Sequence, residues 1–314
     1  MKSNCLRVLY NKELADHLKS KRFIIILALV AITGITAIYA AAYGIRSAVE
    51  EENNSFVFLR LFTASGNSIP SFISFISFLG PLVGLALGFD SINGEINRGS
   101  LSRLLAQPIP RDTVINGKFL AGVSIISLMV FAMGLAVGGL GIIMIGVPPT
   151  ADEILRILVF LILTILYISL WLAISQLFSL LLRQTATSAL ACIAVWLFLS
   201  VFVGLLSGAI AEAIYPADKA TTVEALLSKN MLELTLNRIS PSTVYNEAVV
   251  TMLNPGVRTL GFVTQDQLVG AIAGTLPFLQ SLLLIWPHFI TLIAVTMICF
   301  AVSYVFFMKQ EIRM

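Results

Sequence analysis

The chain has 314 residues, 58% hydrophobic and only 12% charged, with a formal charge of +3 and a mean hydropathy of +0.93. Water-soluble domains carry roughly 25% charged residues, so half that share excludes a soluble enzyme or a nucleic-acid-binding module and makes this a membrane protein. Cys5, Cys192 and Cys299 fall in the N-terminal tail and in two separate apolar runs, which leaves no disulfide framework and no metal-ligand spacing.

Residues 1–22 come first. There Leu6, Leu9, Tyr10, Leu14 and Leu18 fall near helical spacing, with Arg7, Lys12, Glu13, Asp16 and Lys19 on other faces. The pattern predicts a basic amphipathic helix lying along the inner membrane surface. The first apolar run, 23–43, is longer than the ~7–15 residues of a signal-peptide core and is expected to stay as a span. The second, 68–89, contains Gly80, Gly84 and Gly88. Glycines four residues apart form a ridge without side chains on which another helix backbone can seat closely.

Residues 90–118, "DSINGEINRGSLSRLLAQPIPRDTVINGK", interrupt the apolar pattern with Asp90, Glu95, Arg98, Arg103, Arg111, Asp112 and Lys118. Gly94 and Gly99 loosen the chain. Beyond them "SLSRLLAQ" places Leu101, Leu104 and Leu105 on one side of a short surface helix and Ser102 and Arg103 on the other, until Pro108 and Pro110 stop it. Asp112 or Thr113 is expected to cap the next helix, with Lys118 among the lipid headgroups.

Further runs at 119–146, 154–182, 186–210 and 282–307 each reach the ~20 apolar residues that a bilayer crossing needs. The whole chain thus reads as one all-α, six-span domain. Trp171 and Trp196 fall in mid-span, as lipid-facing or core groups. Between the fifth and sixth spans, residues 211–281 hold two helical patterns, around "TTVEALLSKNMLELTLNRI" and "SPSTVYNEAVVTMLNPG". They are expected to form a small helical cap on the outer face, serving as an exit gate, a contact for an extracytoplasmic partner or a simple cover. His288, behind Trp286 and Pro287, is expected as an interfacial anchor.

Orientation follows from the basic residues. With the N-terminus in the cytoplasm, 13 of the 20 lysines and arginines lie in the tail, in 90–118, at Arg183 and at the C-terminus. The positive-inside rule therefore places both termini and the 90–118 loop on the cytoplasmic side of the membrane.

The spans are poor in titratable groups. No Asp, Glu, Lys, Arg or His occurs in 23–43, 61–89, 119–151, 157–182 or 184–211, which leaves an ion-driven carrier little to protonate. No H-E-x-x-H pair suggests a metalloenzyme, and two histidines cannot build a His-rich metal site. No phosphate-cradling G-x-x-x-x-G-K-[ST] sequence is present either, so energy from ATP would have to come through another chain.

In order along the chain stand Lys12-Glu13-Leu14, Lys21-Arg22, Asp90, Gly94-Glu95, Gly99-Ser100-Leu101, Leu104-Leu105, Pro108-Ile109, Arg111 and Gly117-Lys118. With these residues the chain resembles the membrane subunits of ATP-binding-cassette exporters of the type-two permease family. That group includes the nitrous-oxide-reductase maturation permeases and sodium or multidrug export permeases; Gly-Ser-Leu stands here where it usually has Gly-Thr-Leu. The resemblance implies a pathway formed with a second permease subunit, alike or different. It also implies a cytoplasmic P-loop ATPase subunit that binds ATP and Mg, this chain holding no cofactor or metal. Gly94, Glu95, Gly99, Ser100, Leu101, Leu104, Leu105, Pro108 and Arg111 would then form a coupling helix seated on that ATPase. A non-ATPase scaffold or sensor recruiting a cytoplasmic partner through the same loop, and an ion-coupled carrier, are the other readings of the sequence.

Overall fold

The computed structural model describes the chain apart from residues 1, 22, 26, 29, 33, 37, 38, 40–55, 64–70, 108, 147, 217–222, 257–274 and 311–314. Every regular element among the described residues is helical. The helices are α1 (Lys2–Lys19), α2 (Phe23–Thr36), α3 (Val57–Thr63), α4 (Phe72–Gly88), α5 (Asn93–Asn97), α6 (Ser100–Leu105), α7 (Arg111–Ile145) and α8 (Ala151–Leu181). They continue with α9 (Thr185–Leu197), α10 (Val203–Ile214), α11 (Val223–Asn237), α12 (Pro241–Leu253) and α13 (Phe278–Lys309). One π turn, Phe198–Phe202, joins α9 to α10.

Five of these stretches are long and apolar enough to cross a bilayer: Phe72–Asn97, Arg111–Met144, Ala151–Leu181, Thr185–Ile214 and Phe278–Lys309. They match the expected second to sixth spans. The expected first span coincides with α2 as far as Thr36, and of its remainder, 37–43, only Tyr39 is among the described residues.

Helix α8 is the axis of the bundle. In its most apolar stretch 61% of residues are buried, against 17% in both α9–α10 and α13, so those two helices are peripheral. The glycine ridge explains how α4 reaches it. A Cβ at Gly84 would stand 2.5 Å from the Ile168 carbonyl oxygen and 2.9 Å from the Leu172 nitrogen, and one at Gly88 would collide with the Ser175 hydroxyl. Backbone therefore meets backbone, as the sequence predicts. Ser175 uses that closeness to donate to the Gly84 carbonyl at 3.1 Å, and Tyr167 donates to Ser77 O at 2.8 Å. Trp171 and Trp196 both lie in the core, Trp196 edge-on to Phe78.

At the end of α8 away from α5 and α6, Thr150 and Glu153 form a reciprocal capping box. Glu153 also accepts from the Phe58 N–H at 3.1 Å and so caps α3, a helix that the sequence reading did not anticipate. One turn further in, the fully buried Arg156 pairs with Asp152 at 2.7 Å. It donates to the carbonyls of Met252 and Leu276 and to the Ser281 hydroxyl. A basic residue at the edge of the fourth apolar run, Arg156 thus clamps α12 and the start of α13 onto α8, every guanidinium nitrogen being occupied.

Of the expected outer cap, α12 is packed into the bundle, whereas α11 has no buried residue among those described. Contacts of Glu212 with Lys229 and of Ser207 with Asn237 run α11 antiparallel to α10. Helix α12 then runs antiparallel to α8, with Met252 at Arg156 and Tyr245 stacked on Tyr167, centroids 4.3 Å apart. Tyr167 is near the middle of α8, so the α11–α12 hairpin dips about halfway along it. This embedding places His288 as well. It is buried, not an interfacial anchor, and bonds the Glu247 carboxylate of α12 at 2.7 Å, which also receives Arg238 at 2.9 Å.

Gly84→Ala should lower stability by about 1–3 kcal/mol, since the added methyl meets backbone that cannot swing aside. Gly138→Ala, at a site with nothing within 4 Å of the added carbon, should be neutral. Monodisperse yield and thermal midpoint of the detergent-extracted variants check the pair; equal behaviour would mean that α4 and α8 are not in backbone contact.

Candidate functional site

The polar 90–118 stretch folds into α5 and α6, joined at Gly99, whose φ of +67° suits a residue without a Cβ. The apolar positions face inward. Leu101 is fully buried with Leu9, Ile92, Val114, Ile115, Leu180 and Phe307, while Leu104 and Leu105 pack against the same group. This second core, separate from the main one, joins α1, α5, α6, α7, α8 and α13.

Polar bonds then fix the direction of α5. The Ser179 hydroxyl of α8 accepts from the Ile92 and Asn93 N–H groups, at 3.0 and 3.2 Å. The Asn93 and Asn97 side-chain amides donate to the Leu182 and Arg183 carbonyls, both at 3.1 Å. Ser188 donates to Phe89 O at 2.8 Å, tying the start of α9 to the same corner. Ser100 donates to Glu95 O across the α5–α6 joint. On the far side Arg111 donates to the Gln310 carbonyl at 3.0 Å, linking the start of α7 to the end of α13.

At the centre is a charge cluster. The Lys118 ammonium, only 4% exposed, lies 3.0 Å from Glu13 Oε2 and 2.7 Å from Glu95 Oε1. Lys12, half-exposed, reaches Glu13 Oε1 at 3.0 Å. Two ammoniums thus balance two carboxylates contributed by α1, α5 and α7. Burial would raise the Glu13 carboxyl, but the charges and hydrogen bonds of Lys118 and Lys12 outweigh it and hold it below the ordinary 4.5. Burial, helped by the Lys118 charge and opposed by nearby carboxylates, pushes His17 below the ordinary 6.5.

The structure corrects several expectations here. Lys118 is not at the headgroups but inside the cluster, because two carboxylates solvate it better than the interface would. Glu13 lies in the buried stripe of α1 with Leu9, flanked by the partly buried Leu6, Tyr10 and Leu14, whereas Leu18 is exposed. Tyr10 donates to the Ser124 hydroxyl at 2.9 Å, and Leu9 packs on Gly117, so α1 lies along α7. Neither Asp112 nor Thr113 caps α7; Pro110 holds the N-cap position without a side-chain bond, and Asp112 accepts from its neighbour Thr113. Pro108 lies outside the described residues. Among the expected interface residues, Gly94, Glu95, Leu101 and Arg111 are engaged within the chain, and Ser100 is exposed. Asn97, Arg98, Arg103, Ala106 and Gln107 are exposed beside it. Ser179 and Asn93, which set the direction of α5, carry no sequence signal beyond being polar next to apolar runs.

The model of the ABC-2 family transporter proteins matches residues 7–312 of this chain. The chain therefore belongs to the ABC-2 family, and with its five long apolar helices it is a multi-pass membrane protein. It is 34% identical over 121 residues to the probable ABC transporter permease protein NosY of Stutzerimonas stutzeri, a match covering 38% of this chain and 39% of that protein. The NosY protein of Pseudomonas aeruginosa is 34% identical over 119 residues, 37% of this chain and 38% of its own length. The matches thus span about two-fifths of these relatives.

Lys118→Met should cost about 3–5 kcal/mol by leaving two buried carboxylates without their shared cation. Glu95→Lys should likewise loosen α5, and Glu95→Lys with Lys118→Glu should recover part of the loss; thermal unfolding of the four proteins checks this. Acid should act in two steps. Below pH 6.5 the unfolded chain takes up a proton that the folded His17 refuses, and below 4.5 the unfolded Glu13 does the same, so stability falls in both windows. His17→Gln should remove the upper step and leave the lower one.

Proposed function

We propose that this chain is the membrane-spanning subunit of an ATP-driven exporter, with α5–α6 as the element through which a separate P-loop ATPase moves the bundle. The observation that carries the reading is the fastening of α5–α6. A short two-helix segment is bonded to the end of α8, tied electrostatically to α1 and α7, and seated on a core shared with α13. A push on a flexible loop would be dissipated. Shifting a two-state bundle from 1:99 to 99:1 takes about 5.5 kcal/mol of differential interaction, and a segment held this way can pass such a load to several helices.

The partner would meet the exposed face, Ser100, Arg103 and Gln107, while Glu95 and Leu101 hold the segment in place. ATP and Mg would bind in the partner, and the pathway would form with a second permease subunit. Membership of the ABC-2 family and the permease names of the two relatives support this reading over a scaffold. The positive-inside count supports cytoplasmic termini in the plasma membrane.

In a chain whose three cysteines are replaced by alanine, Ser100→Cys should react with an impermeant thiol reagent only from the cytoplasmic side and Glu224→Cys only from the outside. Labelling from the same side would overturn the orientation. Arg103→Glu should leave insertion and thermal stability unchanged but reduce co-purification of the ATPase and its activity in proteoliposomes several-fold, as charge reversal at an exposed contact does. Unchanged co-purification and activity would remove α6 from the interface.

A further inference from the structure

Beside the charge cluster, between α1, α4, α5, α7 and α8, lies a polar chamber of about 310 Å³. Gln176 lines it, only 1% exposed, and its amide oxygen has no hydrogen-bond partner. The Ser91 hydroxyl and Glu95 Oε2 line it too, also buried and unpartnered. An unmet buried polar group costs about 1–3 kcal/mol, so three around one chamber amount to a site prepared for something polar. Ordered water would satisfy them in isolation. The neighbouring cavity argues for more than water. Ala86, in the wall of the polar chamber, also lines an apolar groove of about 300 Å³ formed with Ile25, Val30, Leu82, Phe89 and Ile193. A polar chamber adjoining an apolar groove, at the end of the spans where the interfacial helix α1 lies, fits an amphiphile.

Charge selects the head. Glu13, Asp16, Asp90 and Glu95 line the chamber together with His17, Lys118 and Arg98, and Lys12 at its edge lies 3.0 Å from Glu13 and 3.4 Å from Asp16. Lys118 is already held by Glu13 and Glu95, whereas Arg98 is exposed and makes no ion pair among the described residues.

We propose that the chamber and groove together bind a phospholipid with an ethanolamine headgroup. Its ammonium is received by Glu95 Oε2 and the Gln176 amide, its phosphate by Arg98, and an acyl chain by the groove. A primary ammonium brings three N–H donors to the unpartnered acceptors. Choline has none, and the glycerol headgroup offers hydroxyl donors but no cation to pair with the Glu95 carboxylate. The bound lipid fills the gap between α2 and α4 and steadies α1 against the bundle.

The test is lipid retention by the purified full-length chain, read by native mass spectrometry from micelles with equal amounts of dioleoyl phosphatidylethanolamine, phosphatidylcholine and phosphatidylglycerol. Phosphatidylethanolamine should be retained at least about tenfold over either competitor, the scale of hydrogen bonds to a charged group. Gln176→Leu removes a group that makes no internal bond, so the variant should melt no lower than the parent while losing most of that preference. Ala189→Trp, which fills the groove, should reduce retention of the lipid and is read independently should Gln176→Leu fail to fold. Equal retention of the three lipids overturns the proposal, as does a preference unchanged in Gln176→Leu or retention unchanged in Ala189→Trp. Displacement of the lipid by free phosphoethanolamine at equal concentration also overturns it, since the site would then be one for soluble amines.

Discussion

The seating of α8 on the bare backbone of α4 is the constraint from which the rest of the structure is placed. In a bilayer no hydrophobic force brings two apolar helices together, so contact must come from close packing and hydrogen bonds. Gly84 and Gly88 allow the first, and Ser175 and Tyr167 supply the second. Once α8 is fixed in this way, its two ends become anchoring points. At one end Glu153 and Arg156 gather α3, α12 and α13; at the other Ser179 and the carbonyls of Leu182 and Arg183 gather α5.

Both ends use buried charge, and the two clusters have the same logic. A lone Lys118 or Arg156 in an apolar bundle would be prohibitive, so each is surrounded by acceptors from different helices. Such pairs add little net stability compared with a well-packed apolar substitute, but they strongly penalise any arrangement that separates the partners. They therefore specify which helices lie together. At the α5–α6 end this matters most, because the elements so specified are short: five and six residues cannot hold a helical conformation alone.

Much of this plan is legible in the sequence because it is written locally. Five of the six expected spans recur with bounds within eight residues, since apolar length alone encodes them, and the glycine ridge is visible because its spacing is a property of one helix. Helix α6 is legible from Gly99 and the Leu101, Leu104, Leu105 pattern, whereas α5 forms around Gly94, where the sequence suggests a loosened chain. What could not be read depends on partners far along the chain. Glu13 looks like a solvent-facing charge until Lys118, over a hundred residues away, is beside it; the stripe that α1 buries is consequently rotated toward a carboxylate. Arg156 looks like a loop charge until the carbonyls of residues 252 and 276 surround it. The polar content of α11–α12 suggests an external cap, yet Tyr245 is drawn to mid-bundle by its ring stacking on Tyr167 and its bond to Thr164.

The distribution of these bonds also decides what can move as a unit. Helices α4, α8, α12 and α13 are joined along their length by backbone contact, stacked tyrosines and the Arg156 clamp, and α5–α6 is bonded to the end of the same group. Helix α9–α10, by contrast, is mostly unburied, carries a π turn in mid-span, and presents Phe198 and Phe202 outward. A π turn shifts the register of the hydrogen-bond ladder and so is a place where a helix bends at lower cost. A displacement applied at α5–α6 would accordingly carry the α4–α8–α13 unit as one body, with adjustment taken up at the π turn and along the apolar gaps beside α2. Ser188 ties the start of α9 to Phe89 O beside α5, whereas beyond the π turn α10 is bonded to α11 through Ser207 with Asn237 and Glu212 with Lys229. The two halves of this span are thus fastened to different neighbours, α9 to the α5 corner and α10 to α11, with the π turn between them.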